Sequence, residues 1–172
     1  MRKLLLFSIL ISVLGCHYGS HKEDYIKVVI PDDLFLSSKY CDSYQELMKS
    51  KLKILVYIDS LACGKCWANS VAGWYDIANY VESKDTLVSL IMVFAPKYDE
   101  IQLWKDLTEY DPLIYPLFVD TGYSMMKGNV FLSTKGSFMG LLNERNEIIL
   151  QEHPRSSEET WNRYKNIIES YE

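Results

Sequence analysis

The chain has 172 residues, 48% hydrophobic and 24% charged, enough apolar surface to close the core of one globular domain. Its first fifteen residues hold two basic and no acidic side chains, so the remainder sets sixteen basic against twenty-three acidic groups, a net charge of −7. That balance argues against nucleic acid as a partner, because phosphate binding needs a basic surface, and the thirteen Tyr and four Trp read as core or groove aromatics rather than base-stacking platforms.

Arg2 and Lys3 precede the apolar run Leu4 to Leu14, which is too short to span a bilayer comfortably and reads as an export signal over residues 1–15. The run ends in "VLGC", Val13 to Cys16, which resembles the lipobox of bacterial lipoproteins. That resemblance implies cleavage before Cys16 and lipidation of the new N-terminal cysteine. Acyl chains on Cys16 would hold the protein on a membrane without a spanning helix, since each buried methylene adds about 0.8 kcal/mol. Residues 16–24 are then a short tether and 25–172 the folded domain. Lys22-Glu23-Asp24 resembles the basic-then-acidic signal that sends some lipoproteins to the outer surface in the Bacteroidetes group. The expected location is the cell envelope, facing the periplasm or the outside.

Along the mature chain, "YIKVVI" (Tyr25 to Ile30) reads as a short strand ended by Pro31-Asp32-Asp33. Ser43 is placed to cap a helix over "YQELMKS", with Glu46 as its capping-box partner. "KILVYID" (Lys53 to Asp59) is nearly all apolar and branched, as a central strand buried on both faces should be. From Gly64 the pattern turns helical, with Trp67, Val71, Trp74, Ile77 or Ala78, and Val81 at spacings of three and four. "TLVSLIMVFA" (Thr86 to Ala95) is a second buried strand and residues 99–110 a polar-apolar helix. "YPLFVD" (Tyr115 to Asp120) is a third strand, followed by a short helix near "YSMMKG". "FMGLLNERNEIILQE" carries two strands around the turn Asn143 to Asn146. The tail opens with a Ser cap and an acidic first turn, then repeats Trp161, Tyr164 or Lys165, Ile168 and Tyr171 as a closing amphipathic helix. The order predicts an α/β domain, a central mixed sheet with helices on both faces.

With Cys16 spent on lipid, Cys41, Cys63 and Cys66 remain, and only "CGKC" is a close pair. Export favours a pair that cycles or stays as a disulfide. A cysteine attacks a disulfide as its thiolate, and a first-turn helix position lowers its pKa; Cys63 has that position. Cys66, one turn inward, is placed to resolve a mixed disulfide formed at Cys63. Lys65 adds positive charge beside the thiolate. Asp59 fits two roles equally, proton acceptor for Cys66 or helix cap. Cys41 reads as a small core residue, and His153 as a surface residue before the last helix. A structural zinc wants four ligands, and beyond the pair only Cys41, His17, His21 and His153 remain, with no second CxxC or HxxxH spacing. No metal and no cofactor are expected. Nor does a Gly-x-Ser-x-Gly elbow offer hydrolase chemistry, and the two-cysteine turn argues against a peroxidase.

"KILVYIDSLACGKCWAN" behind an export signal, with the alternating strands and the "GLLNERNEIIL" hairpin, resembles the thioredoxin-like fold over about Tyr25 to Tyr171. More narrowly, residues 115–154 resemble the second half of thioredoxin-like lipoproteins common in Bacteroidetes. The resemblance implies thiol-disulfide exchange, with Cys63 as nucleophile and Cys66 as resolver, protein thiols and disulfides of the envelope as partners, and a monomer. Two departures stand out. Ala62 replaces the tryptophan usual before the first cysteine, and none of the five prolines fits the cis-proline that faces the pair; Gly136-Ser137-Phe138 takes that place. The competing reading is an envelope binding or scaffolding lipoprotein in which Cys63 and Cys66 form a fixed disulfide.

Overall fold

The structure is a computed structural model that describes residues 25–32, 34–36, 43–59, 71–95, 117–134 and 136–172. In chain order these form β1 (Phe35–Leu36), α1 (Ser43–Lys49), β2 (Leu52–Ile58), a 3-10 turn (Val71–Trp74), α2 (Tyr75–Glu82), β3 (Val88–Phe94), β4 (Leu117–Val119), α3 (Ser124–Gly128), a second 3-10 turn (Val130–Thr134), β5 (Ser137–Leu142), β6 (Ile148–Leu150) and α4 (Glu158–Glu169). Among the described residues the strands make one six-stranded sheet in the order β1-β4-β3-β2-β5-β6. The pairs β2-β3 and β3-β4 are parallel. The pairs β2-β5, β5-β6 and β1-β4 are antiparallel, so the sheet is mixed, as the alternation of elements predicts.

The apolar runs explain the centre. Every residue of β2 and of β3 is buried, the pattern of strands covered on both faces. On one face Leu52, Ile54, Val56 and Ile58 pack with Trp74, Ile77, Ala78 and Val81 of the α2 region and Tyr164 and Ile168 of α4. On the other, Leu55 and Tyr57 pack with Val28, Ile30, Leu34, Met125, Leu132 and Phe138, with Leu47 and Met48 of α1 against them. Helices thus cover both faces. Lys53 is the exception in β2: its stem is buried and Nζ reaches the carbonyls of Ser50 and Glu144, at 3.2 and 3.4 Å. Burial pushes its pKa down, with Glu144 partly opposing.

The turn chemistry follows the sequence. In the β5-β6 turn Asn143 Oδ1 accepts from the Arg145 and Glu147 amides at 2.9 and 3.0 Å, and Asn146 takes a positive φ of 61°, which asparagine tolerates well. Ser157 caps α4 by accepting from the Thr160 amide at 3.1 Å. Tyr171, expected on the buried stripe of that helix, is 40% exposed, because α4 ends at Glu169.

One expectation for the N-terminal part needs correction. Tyr25 to Ile30 is not a strand of the sheet: it makes one bridge, Lys27 to Glu147, flanked by backbone bonds from the Val28 amide to the Asn146 carbonyl at 2.8 Å and from the Ile148 amide to the Ile26 carbonyl at 2.9 Å, and Asn129 takes over from there. The Asn129 side chain accepts from the Val29 amide at 2.8 Å and donates to the Val29 carbonyl at 2.7 Å and to the Met125 carbonyl at 2.7 Å. A side-chain amide substitutes for a neighbouring strand. The first strand proper is instead the two-residue β1, beyond Pro31-Asp32. At α1, Glu46 accepts from Lys49 Nζ at 2.7 Å. The helix expected over residues 99–110 lies outside the described residues.

Asn129→Ala leaves the Val29 amide and carbonyl without their partner, and each orphaned buried group costs about 1–3 kcal/mol. The variant is therefore expected to lose roughly 2–4 kcal/mol in a urea titration. An unchanged midpoint would show that the clamp is not needed.

Candidate functional site

The parallel strands end together, and a row of backbone hydrogen bonds ties their C-terminal ends. The Ala95 amide donates to the Ile58 carbonyl at 2.8 Å, the Asp120 amide to the Phe94 carbonyl at 2.6 Å, and the Asp59 amide to the Gly136 carbonyl at 3.0 Å. This is the edge where open α/β sheets place their ligand sites. Residues 60–70 leave from it and carry Cys63, Lys65 and Cys66, which lie outside the described residues, as do Cys16 and Cys41.

What the structure brings to that edge is Asp59 and the start of β5. Gly136, at φ 65°, turns the chain into β5, so that Ser137 faces Ile58 and Phe138 faces Tyr57 across the ladder. The Gly-Ser-Phe segment therefore lies beside the end of β2. No cis peptide occurs among the described residues.

Strand alternation puts Asp59 on the face of Tyr57, and Asp120 on the face of Phe118, which is the same side of the sheet. Both carboxylates are buried, at 4% and 2% exposure. Asp120 is committed to structure: its two oxygens accept from the Ser124 and Met125 amides, each at 2.8 Å, and so cap α3. Tyr57 is wholly buried and its hydroxyl has no hydrogen-bond partner among the described residues. Burial first, then the charges of Asp120 and Asp59, push its pKa well above the usual phenol value, so it stays neutral. Sequence reasoning read Tyr57 as one apolar member of a strand and Asp120 as a strand end. The signal for Asp120 was present in "DTGYS", an acid four residues before a short helix.

On the opposite face, where the chain re-enters the described structure at Val71–Trp74, a second cluster forms. Trp74 stacks on His153, with ring centroids 5.9 Å apart, and the Arg155 guanidinium lies over the Trp74 ring at 5.6 Å, a cation-π arrangement. Gly73 makes room for it: a Cβ there would stand 2.1 Å from Arg155 Nη2. The Arg155 amide donates to His153 Nδ1 at 3.0 Å. His153 is at the surface, as expected, yet partial burial and then the Arg155 charge push its pKa down. Among the described residues no group of three or more His, Cys, Asp or Glu could hold a metal ion, and no helix is long and apolar enough to cross a membrane.

No family model and no curated protein matches the chain. Solved structures do. A protein of Chlorobium tepidum assigned as a thiol:disulfide interchange protein, DsbE, superposes with a TM-score of 0.55 at 14% identity over 87% of this chain and 99% of its own. The C-terminal domain of an assigned thiol-disulfide oxidoreductase from Bacteroides thetaiotaomicron gives 0.54 at 17% identity, over 84% and 95%. An assigned thiol-disulfide oxidoreductase from Bacteroides vulgatus gives 0.52 at 16%, over 72% and 77%. The chain has a thioredoxin-like fold.

Two measurements test this site. Tyr57→Phe removes an unpartnered hydroxyl and keeps the ring, so stability should rise by about 1 kcal/mol; a loss would mean that the hydroxyl is bonded. For His153, a depressed folded pKa means that the unfolded chain binds more protons, so stability falls as pH drops below about 6.5 toward the folded value. His153→Gln should flatten that slope in denaturation series between about pH 5 and 7, and an unchanged slope would assign it to other groups.

Proposed function

We propose that the protein is a thiol-disulfide oxidoreductase of the bacterial cell envelope, acting through Cys63 and Cys66 on exported proteins and anchored by lipid on Cys16. The observation that carries this reading is that the central parallel strand β2 ends at Ile58, with Asp59 tied to Gly136 at the C-terminal edge of the sheet, and that "CGKC" begins four residues after Asp59 in the sequence. Support also comes from structural neighbours that are themselves assigned as thiol-disulfide oxidoreductases.

The chemistry balances in two steps. The Cys63 thiolate attacks one sulfur of a substrate disulfide, forming a mixed disulfide and releasing a substrate thiolate. The Cys66 thiolate then attacks Cys63 Sγ, closing the Cys63-Cys66 disulfide and releasing the second substrate thiolate. Two electrons pass to the substrate, and the same steps reversed oxidise a dithiol. Lys65 would favour the Cys63 thiolate by its charge. Asp59, a buried carboxylate beside the segment, would receive the Cys66 proton before the second step; capping the following helix remains its other role. Asp59→Asn and Asp59→Ala together separate the two, because Asn still caps a helix but takes no proton: loss of exchange rate in Asp59→Asn marks the proton acceptor, whereas unchanged rate in Asp59→Asn with loss of stability in Asp59→Ala alone marks the cap.

Cys63→Ser should abolish disulfide reductase activity and Cys66→Ser should accumulate mixed disulfides. Unimpaired turnover in both variants would end this reading. A redox titration in dithiol buffers gives the complementary test. Reversible interconversion of the pair between about −120 and −270 mV fits a working exchange protein. A pair that stays closed below about −300 mV behaves as a structural disulfide and favours the binding or scaffolding lipoprotein.

A further inference from the structure

Where the chain enters the domain, its surface is apolar beyond what the core requires. Segment 25–30 turns Val28 and Ile30 into the core and leaves Tyr25, Ile26 and Val29 at 49%, 53% and 50% exposure. The Asn129 clamp on the Val29 backbone draws the end of α3 alongside, so that a Cβ on Gly128 would stand 3.4 Å from Val29 Cγ1. The next residue after the clamp, Val130, is 80% exposed. None of these four side chains belongs to either core cluster. Two exposed lysines, Lys27 and Lys127, flank them. The nearest acid in the ladder, Glu147 opposite Lys27, is engaged by Asn143 Nδ2 at 2.7 Å and by Arg145 at 3.6 Å.

The same stretch is the root of the tether. Eight residues, 17–24, separate it from Cys16, and the nine extended steps from Cys16 to Tyr25 reach at most about 30 Å. A lipid on Cys16 therefore keeps this face near the bilayer at all times, where even a small apolar area is used at high effective concentration. The two lysines suit the anionic headgroups met at such a surface.

We propose that Tyr25, Ile26, Val29 and Val130, rimmed by Lys27 and Lys127, form the face by which the domain rests on the bilayer that holds its lipid. The inference rests on the anchored-lipoprotein reading above. It has a geometric consequence. Lys27 lies at the turn end of the β5-β6 hairpin, opposite Glu147, whereas Ser137 and Asp59 lie at the other end of β5. Seated this way, the domain holds its Asp59 edge a strand length away from the patch and open to protein partners.

The test uses the intact protein, reconstituted on vesicles of phosphatidylethanolamine and phosphatidylglycerol doped with a photoactivatable phospholipid, with attachment sites mapped by peptide mass spectrometry. Label concentrated in the peptides spanning 25–30 and 127–131, and lost in the double variant Val29→Glu/Val130→Glu, supports the proposal. Label spread evenly, or placed on α4, overturns it. Protein-protein cross-links through the patch in place of lipid would assign the face to a second copy and also overturn it. Intact mass is measured on the same sample. An acylated Cys16 with no label at the patch refutes the seating alone, whereas an unacylated Cys16 refutes the anchoring reading and the seating with it.

Discussion

Strand β2 is the constraint on which everything else in the domain depends. Its backbone is bonded on both edges, to parallel β3 over seven registered pairs and to antiparallel β5 over six, and its side chains are buried on both faces. One edge of this strand thus makes the parallel half of the sheet and the other makes the hairpin half. The two faces recruit different helices by simple alternation: the even-numbered residues of β2 meet α2 and α4, and Leu55 and Tyr57 meet α1, α3 and the N-terminal segment. A strand so enclosed cannot slip, because a one-residue shift would drive every side chain to the opposite face.

That enclosure also explains why the strand's end is chemically useful. Asp59 is the first residue past the ladder, so its carboxylate sits at the boundary between a dry interior and the segment that carries the cysteines. A buried carboxylate tolerates such a position when neighbours satisfy it with hydrogen bonds. Asp120, at the end of β4 with β3 lying between it and β2, is held in this way by two amides of α3 on its oxygens.

Much of this was legible in the residues because it was written in local runs. The β2 and β3 segments announced themselves as unbroken branched apolar stretches, the hairpin by its Asn-flanked turn, and α4 by a serine followed by two acids. The structure shifts the expected ends: Lys53–Asp59 becomes Leu52–Ile58 and Thr86–Ala95 becomes Val88–Phe94, since the ladder stops before burial does at Asp59 and Ala95. Other features had no local signal. β1 has two residues, too few for any periodicity. The segment at Tyr25 looked like a strand because it alternates, but it makes a single bridge, to Glu147, and its Val29 backbone is held by an asparagine side chain one hundred residues away. Trp74, His153 and Arg155 meet only through the packing of α2 against the loop before α4. Of the site itself, Asp59 and the 136–138 loop were readable from their positions relative to "CGKC", whereas the unpartnered hydroxyl of Tyr57 follows from three-dimensional enclosure and nothing in "LVYID" could announce it.

The outer strands carry a consequence of a different kind. A sheet whose interior strands are seven-residue apolar runs is hazardous if any of them can pair with a neighbouring molecule. Here the sheet stops at β1, two residues long, on one side. On the other it stops at β6, three residues long, whose start is covered by the bridge from Lys27 to Glu147. Short margins and a lysine at the border are the devices by which natural sheets refuse intermolecular strand addition. Among the described residues, therefore, the margins of the native sheet offer little template for intermolecular strand addition.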